Sequence, residues 1–550
     1  MPAADGEKKC RQGGPKTKTG CATCKTRRVK CDEGKPRCQR CEKANWPCKY
    51  IPVRKGPLQR TTRTILPSRQ ICTVRGAGTN HGLQRLLPHL SSFGSQDEYR
   101  YFQVFQTNTA PELTGYFDSN IWNRLILQAC HHEPYAWHAV VAIGALRKSL
   151  KISQLTKPRR PTLARPDDDG STHHVFALQQ YGKSLRLMKE ILTQGDESKF
   201  HNSLISSLLM ICFETYLGNQ ELALTQIRTG VDILFSWPFK CRLQDDDFSS
   251  MKLLAKNYSF VDQDIVSTFL LLDFQAMTSD NRDTRGMLSK KYPDIPPRFE
   301  TVKEARMVLE VIVRRLRQWR TTVHTQHNPY VATFGVENCA DLGCNNQVTS
   351  QLEDYFETIK LWYHAFKPVF DVARKKRGCK EYFGANLLMA RYIPIRFLFL
   401  VADGNETGSD VYLPECTVAV DLLEEVLEQD PNMKPGQATF VFNNHYVLGV
   451  FVIALRCRDP TLRRRAIAIM FKYPRREGLW DSVMAAKVAS WVMLEEEKGM
   501  VDGFVPESAR LRIVKNDFSL SERKTVVRCS RLAAEGSKER ILLPEVTLTW

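Results

Sequence analysis

At 550 residues, 43% hydrophobic and 25% charged, the chain has the composition of a soluble globular protein, which excludes disorder throughout. At ~100–200 residues per domain, that length also exceeds one ordinary core. The net charge is +19, and residues 1–90 hold 21 Lys/Arg against five acids, so nearly all the excess sits in the first sixth of the chain. That asymmetry points to a polyanion-binding arm on a balanced body.

In chain order, the opening MPAADGEKKC is polar and charged and has no apolar signal core. The longest apolar run, Val447 to Leu455, falls short of the ~18 residues a membrane span needs. The expectation is a chain neither secreted nor membrane-embedded. Its seventeen cysteines, an odd number, are then expected to stay free, bind metal or do redox chemistry.

Six of them fall at Cys21, Cys24, Cys31, Cys38, Cys41 and Cys48. The second three repeat the first three with a shift of 17 residues, giving two copies of C-x2-C-x6-C. A closed structural zinc site takes four ligands, thiolate among the preferred. Six thiols exceed one such site and fall short of eight for two, and the nearest histidine is His81. Two zinc ions sharing two bridging thiolates resolve the count, and a segment this short would draw its folding free energy from the metal. One four-cysteine zinc with two spare thiols, a redox C-x-x-C pair and a RING-type protein-binding module are the competing readings. Between its second and third cysteines the first copy carries Lys25, Thr26, Arg27, Arg28, Val29 and Lys30, four basic residues of six. The second carries Glu42, Lys43, Ala44, Asn45, Trp46 and Pro47, whose charges cancel. If each six-residue stretch forms a short helix, the first presents a cationic face to nucleic acid and the second braces it. The bland reading of KTRRVK is a solvated charge run or a nuclear import signal.

This pattern resembles the Zn2Cys6 binuclear cluster of fungal transcription factors. All six cysteines match, as do Arg28 and Lys30 at the usual basic positions and Pro36 in the central loop. The resemblance implies two Zn2+ ions per chain, with Cys21 and Cys38 bridging. Cys24 and Cys31 would complete one ion, Cys41 and Cys48 the other. Where the family usually carries Arg, this chain has Lys25, which keeps the charge but not the guanidinium fork. The resemblance further implies that the first helix enters the major groove over a CGG-like triplet. Arg27 and Arg28 are the expected base readers, since Arg can donate twice to guanine. Lys25 and Lys30, with Lys16, Lys18, Arg37 and Arg40, are expected on phosphates.

Residues 51–95, with Pro52, Pro57, Pro67, Pro88, Arg54, Lys55, Arg60 and Arg63, read as a basic flexible linker after a cluster domain at 16–50. No sustained heptads occur there, so dimerisation through this segment is not expected, and binding as a monomer, or as a homodimer through the large domain, stays open. From about residue 96 the pattern turns apolar and helical. Asp118 and Ser119 are expected N-caps for Trp122, Leu125, Ile126 and Ala129, and a second helix is expected from Pro134 through Leu146. Residues 151–173 read as a disordered insertion. Helical spacing then recurs at Val175–Leu192, at Val302–Trp319 (a core helix rather than a dimer zipper) and at Leu352–Phe366. Strand signals are confined to 511–514 and 540–548, in an expected tail at 501–550.

The body, 96–500, therefore reads as all-α. Two of its stretches, Glu112 to Trp122 on through His138 and Pro474 to Ser482, resemble the fungal-specific transcription factor domain, whose role is regulatory. No catalytic motif is found: His131, His132 and Glu133 lack the i, i+4 geometry of HExxH, and His138 reads as a satisfied helix residue. Trp122, Trp137, Trp362 and Trp480 read as core, and the eleven other cysteines as small buried hydrophobes. The expected fold is mainly α: a small Zn2Cys6 zinc cluster domain followed by a large all-α regulatory domain. The expected function is sequence-specific transcription regulation at RNA polymerase II genes in the nucleus, without enzyme activity. Its expected partners are double-stranded DNA and the transcription machinery or co-regulators, with no membrane. The competing function is a zinc-stabilised protein- or RNA-interaction module.

Overall fold

The computed structural model describes residues 21–27, 29–50, 94–117, 120–155, 170–192, 197–236, 263–279, 295–327, 346–396, 406–442, 446–537 and 539–550. Several expectations lie outside these residues: Arg28, Lys16 and Lys18, the linker residues named above, the caps Asp118 and Ser119, and Arg159 to Asp169. The chain divides into two units, Met1–Leu86 and Leu87–Trp550.

Among the described residues, the smaller unit holds two five-residue helices, α1 (Ala22–Thr26) and α2 (Gln39–Lys43). Each starts one residue after the first cysteine of its copy. The expectation had placed helices over the x6 stretches. Instead α1 covers the C-x2-C and ends at Arg27. The reason is local: Cys21 is extended, and its sulfur accepts the Cys24 N–H at 3.4 Å, so the first cysteine acts as the N-cap.

The described residues of the larger unit are mainly helical, with two small sheets. Ser95 caps α3 (Gln96–Val104) by accepting the Glu98 N–H. There follow α4 (Ala110–Thr114), α5 (Ile126–His132), α6 (Pro134–Leu155), α7 (Gly170–Leu192), α8 (Glu197–Leu217), α9 (Gln220–Ser236) and α10 (Gln263–Ser279). Proline supplies the first turn of α6 at no hydrogen-bond cost. The next turns of α6 are apolar and buried except at the half-buried His138: Tyr135, Trp137, Val140, Val141, Ile143 and Leu146 are all buried. Phe102 of α3 stacks on Trp137 at 4.6 Å, and Trp122 is likewise buried. At its two ends the range 151–173, expected as a disordered insertion, is helical, and its middle lies outside the described residues. Helix α6 continues to Leu155 and α7 already begins at Gly170.

A second hydrophobic cluster is built by α11 (Val302–His327), α12 (Asn346–Arg374), α13 (Lys380–Ile395), α14 (Leu413–Gln429), α15 (Val447–Arg456), α16 (Pro460–Lys472) and α17 (Ser482–Glu497). Val302, Ala305, Leu309, Ile312 and Leu316 of α11 all point into it, as core residues do. Trp362 is fully buried and donates its indole N–H to the Ala305 carbonyl at 2.7 Å. Trp480 is buried too, but on a strand rather than a helix.

The strands are where the structure departs most from the all-α reading of the body. Strand β1 (Thr439–Val441) pairs in parallel with β2 (Arg475–Glu477), which turns through Gly478 into antiparallel β3 (Trp480–Asp481). Phe440 and Phe442 carry this sheet into the first cluster, against Tyr216 and Trp122. Four more strands, β4 (Arg512–Ser519), β5 (Lys524–Leu532), β6 (Arg540–Leu542) and β7 (Val546–Thr549), form an antiparallel sheet in which β5 pairs with all three others. Leu511, Ile513, Val527 and Cys529 enter the second cluster, so residues after 500 belong to the body's core and not to a tail. A buried ion network welds them in: Glu406 is held by Arg456, Arg458 and Arg512, and Glu496 by Arg458 and Arg463.

Of the other cysteines, Cys130, Cys212, Cys416, Cys457 and Cys529 are buried as expected of small hydrophobes, whereas Cys379 is exposed. No helix among the described residues is long and apolar enough to cross a membrane.

Candidate metal centre and nucleic-acid face

Backbone hydrogen bonds repeat through the small unit with the 17-residue shift. Cys21 N–H donates to Cys31 Sγ at 3.4 Å, and Cys38 N–H to Cys48 Sγ at 3.3 Å. Val29 N–H reaches Cys24 O, and Trp46 N–H reaches Cys41 O. This six-to-one bond closes a helix end in the Schellman manner, and Asn45 supplies the left-handed residue after α2 with φ 50°. Two copies of one local fold thus face each other. Ala22 N–H donates to Lys49 O at 2.8 Å, and the Thr23 hydroxyl donates to Pro47 O at 2.5 Å, tying the end of the second copy along α1. Asp32 in the connecting loop accepts the Gln39 and Arg40 N–H groups at 2.9 and 3.3 Å, capping α2. The Gln39 N–H is the main cause of its carboxyl lying below the ordinary range. Tyr50 donates to Gly34 O at 3.1 Å. Pro36 follows a cis peptide bond in this loop.

The six sulfurs converge. Cys21, Cys24, Cys31 and Cys38 form one set and Cys21, Cys38, Cys41 and Cys48 another, with all sulfurs of a set within 4.8 Å of one another. Cys21 and Cys38 belong to both. Individual Sγ–Sγ distances are 3.8 Å for Cys21–Cys38, 3.7 Å for Cys24–Cys38 and 3.8 Å for Cys21–Cys41. A Zn–S bond of ~2.3 Å gives a tetrahedral S–S edge of about 3.8 Å, so the donor set fits thiolate-bound zinc in both spacing and type. Five of the six are buried and Cys48 is partly so. Burial raises the Cys41 thiol to about 12 without metal. At Cys21 burial acts the same way, but the Cys24 N–H and neighbouring thiols outweigh it and the thiol is lowered. Among the described residues, no other group of His, Cys, Asp and Glu comes together in this way. His131 and His132 are exposed, Glu133 accepts from Asn202, and His138 shares a hydrogen bond with Gln180.

Lys25, Thr26, Arg27 and Lys30 are all exposed around α1. The Arg27 guanidinium lies over the Trp46 ring, 4.7 Å from its centroid. The structure thus brings the six cysteines together and leaves three of the four basic candidates on the surface. Sequence reasoning missed Trp46, Thr23 and Asp32. The 17-residue repeat aligns Val29 with Trp46 and was the available signal for the Trp46 turn; the two cross-loop bonds left no trace in spacing.

These features define a class. Residues 19–57 match the fungal Zn(2)-Cys(6) binuclear cluster domain and residues 100–262 the fungal specific transcription factor domain. In these two stretches the chain is similar to fungal Zn(2)-Cys(6) transcription regulators, and the matched cluster domain binds two zinc ions through six cysteines. The stretch Glu112–His138 lies inside the second match, and Pro474–Ser482 lies outside it.

Among relatives, the chain is 24% identical over 225 residues to the aspercryptin biosynthesis cluster-specific transcription regulator atnN of Emericella nidulans, covering 40% of this chain and 35% of that protein. It is 31% identical over 137 residues to the Zn(2)-C6 fungal-type transcription factor afumD of Aspergillus fumigatus, covering 24% and 33%. It is 56% identical over 43 residues to sterol uptake control protein 2 of Saccharomyces cerevisiae, covering 8% and 5%. The chain thus spans about a third or less of the length of these relatives. No solved structure matches it.

Proposed function

We propose that this chain is a nuclear regulator of RNA polymerase II genes that binds duplex DNA by sequence, with α1 in the major groove over a CGG-like triplet. Cys21 and Cys38 bridge two zinc ions, Cys24 and Cys31 complete one, and Cys41 and Cys48 the other. The zinc is structural, since every ligand position is taken by thiolate. What it supplies is a fixed angle between α1 and the brace formed by α2. Arg27 and Arg28 read base edges, while Lys25 and Lys30, with Lys16, Lys18, Arg37 and Arg40, neutralise phosphates and set the register.

One observation carries the reading. Two copies of the same local fold differ in charge, Lys25-Thr-Arg-Arg-Val-Lys30 in one and Glu42-Lys-Ala-Asn-Trp-Pro47 in the other. A zinc module built only for stability has no cause to load one copy. The excess of positive charge in residues 1–90 supports the same partner. The helical body is the regulatory part, the site for co-regulators or the transcription machinery. The test is selection of bound duplexes from a random pool by the full-length, zinc-loaded chain. Enrichment of a CGG-like triplet is expected, once for a monomer and twice at fixed spacing for a dimer. No enrichment over scrambled duplex would favour the protein- or RNA-interaction module instead.

A further inference from the structure

Trp46 is an anomaly in the small unit. It is 48% exposed, although a Trp left half in water forgoes burial worth more than that of any other side chain. Its backbone is nonetheless held on both sides. Its N–H is bound to Cys41 O, and the next residues are tied to α1 through Pro47 O to Thr23 and Lys49 O to Ala22. The indole is therefore fixed beside α1, and the one group seen over its ring is the Arg27 guanidinium.

We propose that Trp46 is a positioning residue for sequence reading: its ring is a shelf that holds Arg27 in one orientation at the end of α1. This rests on the assignment of Arg27 to base edges. The argument turns on which part of the guanidinium the shelf uses. A carboxylate partner would occupy the in-plane N–H fork that guanine O6 and N7 require. A ring face engages the guanidinium through its π surface and leaves that fork open. Arg27 has a ring neighbour and, among the described residues, no carboxylate partner. The shelf comes from the second copy and the arginine from the first. The uncharged copy therefore does more than brace: it limits the rotamers of the reading side chain before DNA arrives. The shelf also explains why the second copy carries an aromatic residue where the first has Val29, at the same point of the repeat.

The experiment compares the full-length, zinc-loaded chain with Trp46→Ala, Trp46→Phe, Arg27→Ala and the Trp46→Ala/Arg27→Ala double variant. Each is assayed for zinc content, for affinity to the selected duplex, to the same duplex with the guanine positions changed, and to random duplex. Trp46→Ala is expected to keep two zinc ions and its random-duplex affinity, and to lose discrimination by about twofold to thirtyfold, the span of a cation–π contact from exposed to desolvated. Trp46→Phe should restore part of the loss, and in the Arg27→Ala background Trp46→Ala should add nothing. The shelf is overturned if Trp46→Ala keeps full discrimination, weakens all duplexes alike, or costs as much without Arg27 as with it. If Arg27→Ala itself leaves discrimination intact, the base-reading assignment fails and the shelf falls with it.

Discussion

The sulfurs of Cys21 and Cys38 lie 3.8 Å apart at equivalent points of the repeat, and these two cysteines alone belong to both four-thiol sets. Sharing has a measurable consequence. Replacing a cysteine used once removes one ligand from one ion, whereas replacing a shared one removes a ligand from each. Cys31→Ser is expected to retain about one zinc per chain, and Cys21→Ser or Cys38→Ser to retain none, by elemental analysis after dialysis. Equal metal content in the three variants would rule out the shared arrangement.

Base reading and phosphate binding separate in their salt response. Arg27→Ala is expected to relax sequence preference by about 1–3 kcal/mol at the position it reads, with little change on random duplex. Lys25→Ala is expected to weaken every duplex alike and to reduce the slope of log affinity against log salt by about one. Titrations at several salt concentrations on selected and random duplex check both. Matching losses on both duplexes for the two variants would sink the division of labour.

What the sequence discloses follows the chemistry of each signal. The six cysteines are legible because metal ligation fixes residue type and spacing together. The helices α7, α11 and α12 are legible because their apolar residues recur at helical period, and α6 because a proline opens a long apolar run. Strand β2 is Arg475-Arg476-Glu477, two of its three charges buried, and hydropathy reads such a triplet as surface. Strand β5 turns Thr525, Val527 and Cys529 inward, a period-two pattern written in residues too small and polar to register as a core face. The attachment of residues after 500 is hidden for a related reason. It runs through Arg510 and Arg512, whose partners Asp410 and Glu406 lie about a hundred residues earlier.

That attachment makes its own prediction. Burial opposes the charge on Glu406, yet Arg456, Arg458 and Arg512 outweigh it and hold its carboxyl well below the usual range. A carboxylate with a depressed folded pKa contributes stability that is fully present above its unfolded pKa, ~4.3, and is lost as pH falls toward the folded value. Wild-type melting temperature should therefore drop as pH falls below about 4. Glu406→Gln should lose the share of this dependence that Glu406 carries and keep that of Glu496, whose carboxyl Arg458 and Arg463 also hold below the usual range against its burial. At neutral pH the variant leaves three buried or half-buried guanidinium groups without their shared anion, and a loss of about 3–5 kcal/mol is expected by thermal unfolding. A change under about 1 kcal/mol would show that the network relaxes onto other acceptors.

Two glycines inside helices separate propensity from packing. A Cβ at Gly144 of α6 would sit 2.3 Å from the Tyr101 carbonyl oxygen, a backbone atom of α3 that no rotamer change can move. At Gly182 of α7 a Cβ meets nothing within 4 Å. Alanine gains about 1 kcal/mol of helix propensity at either position. At Gly182 that gain stands alone, so Gly182→Ala is expected to stabilise the body by about 0.5–1 kcal/mol. At Gly144 the helices must part by the shortfall, and overpacking of this kind costs about 1–3 kcal/mol, more than propensity returns. Gly144→Ala is therefore expected to lower the melting temperature while Gly182→Ala raises it. A shift of the same sign in both would mean that α3 and α6 do not approach as closely as the Tyr101–Gly144 contact requires.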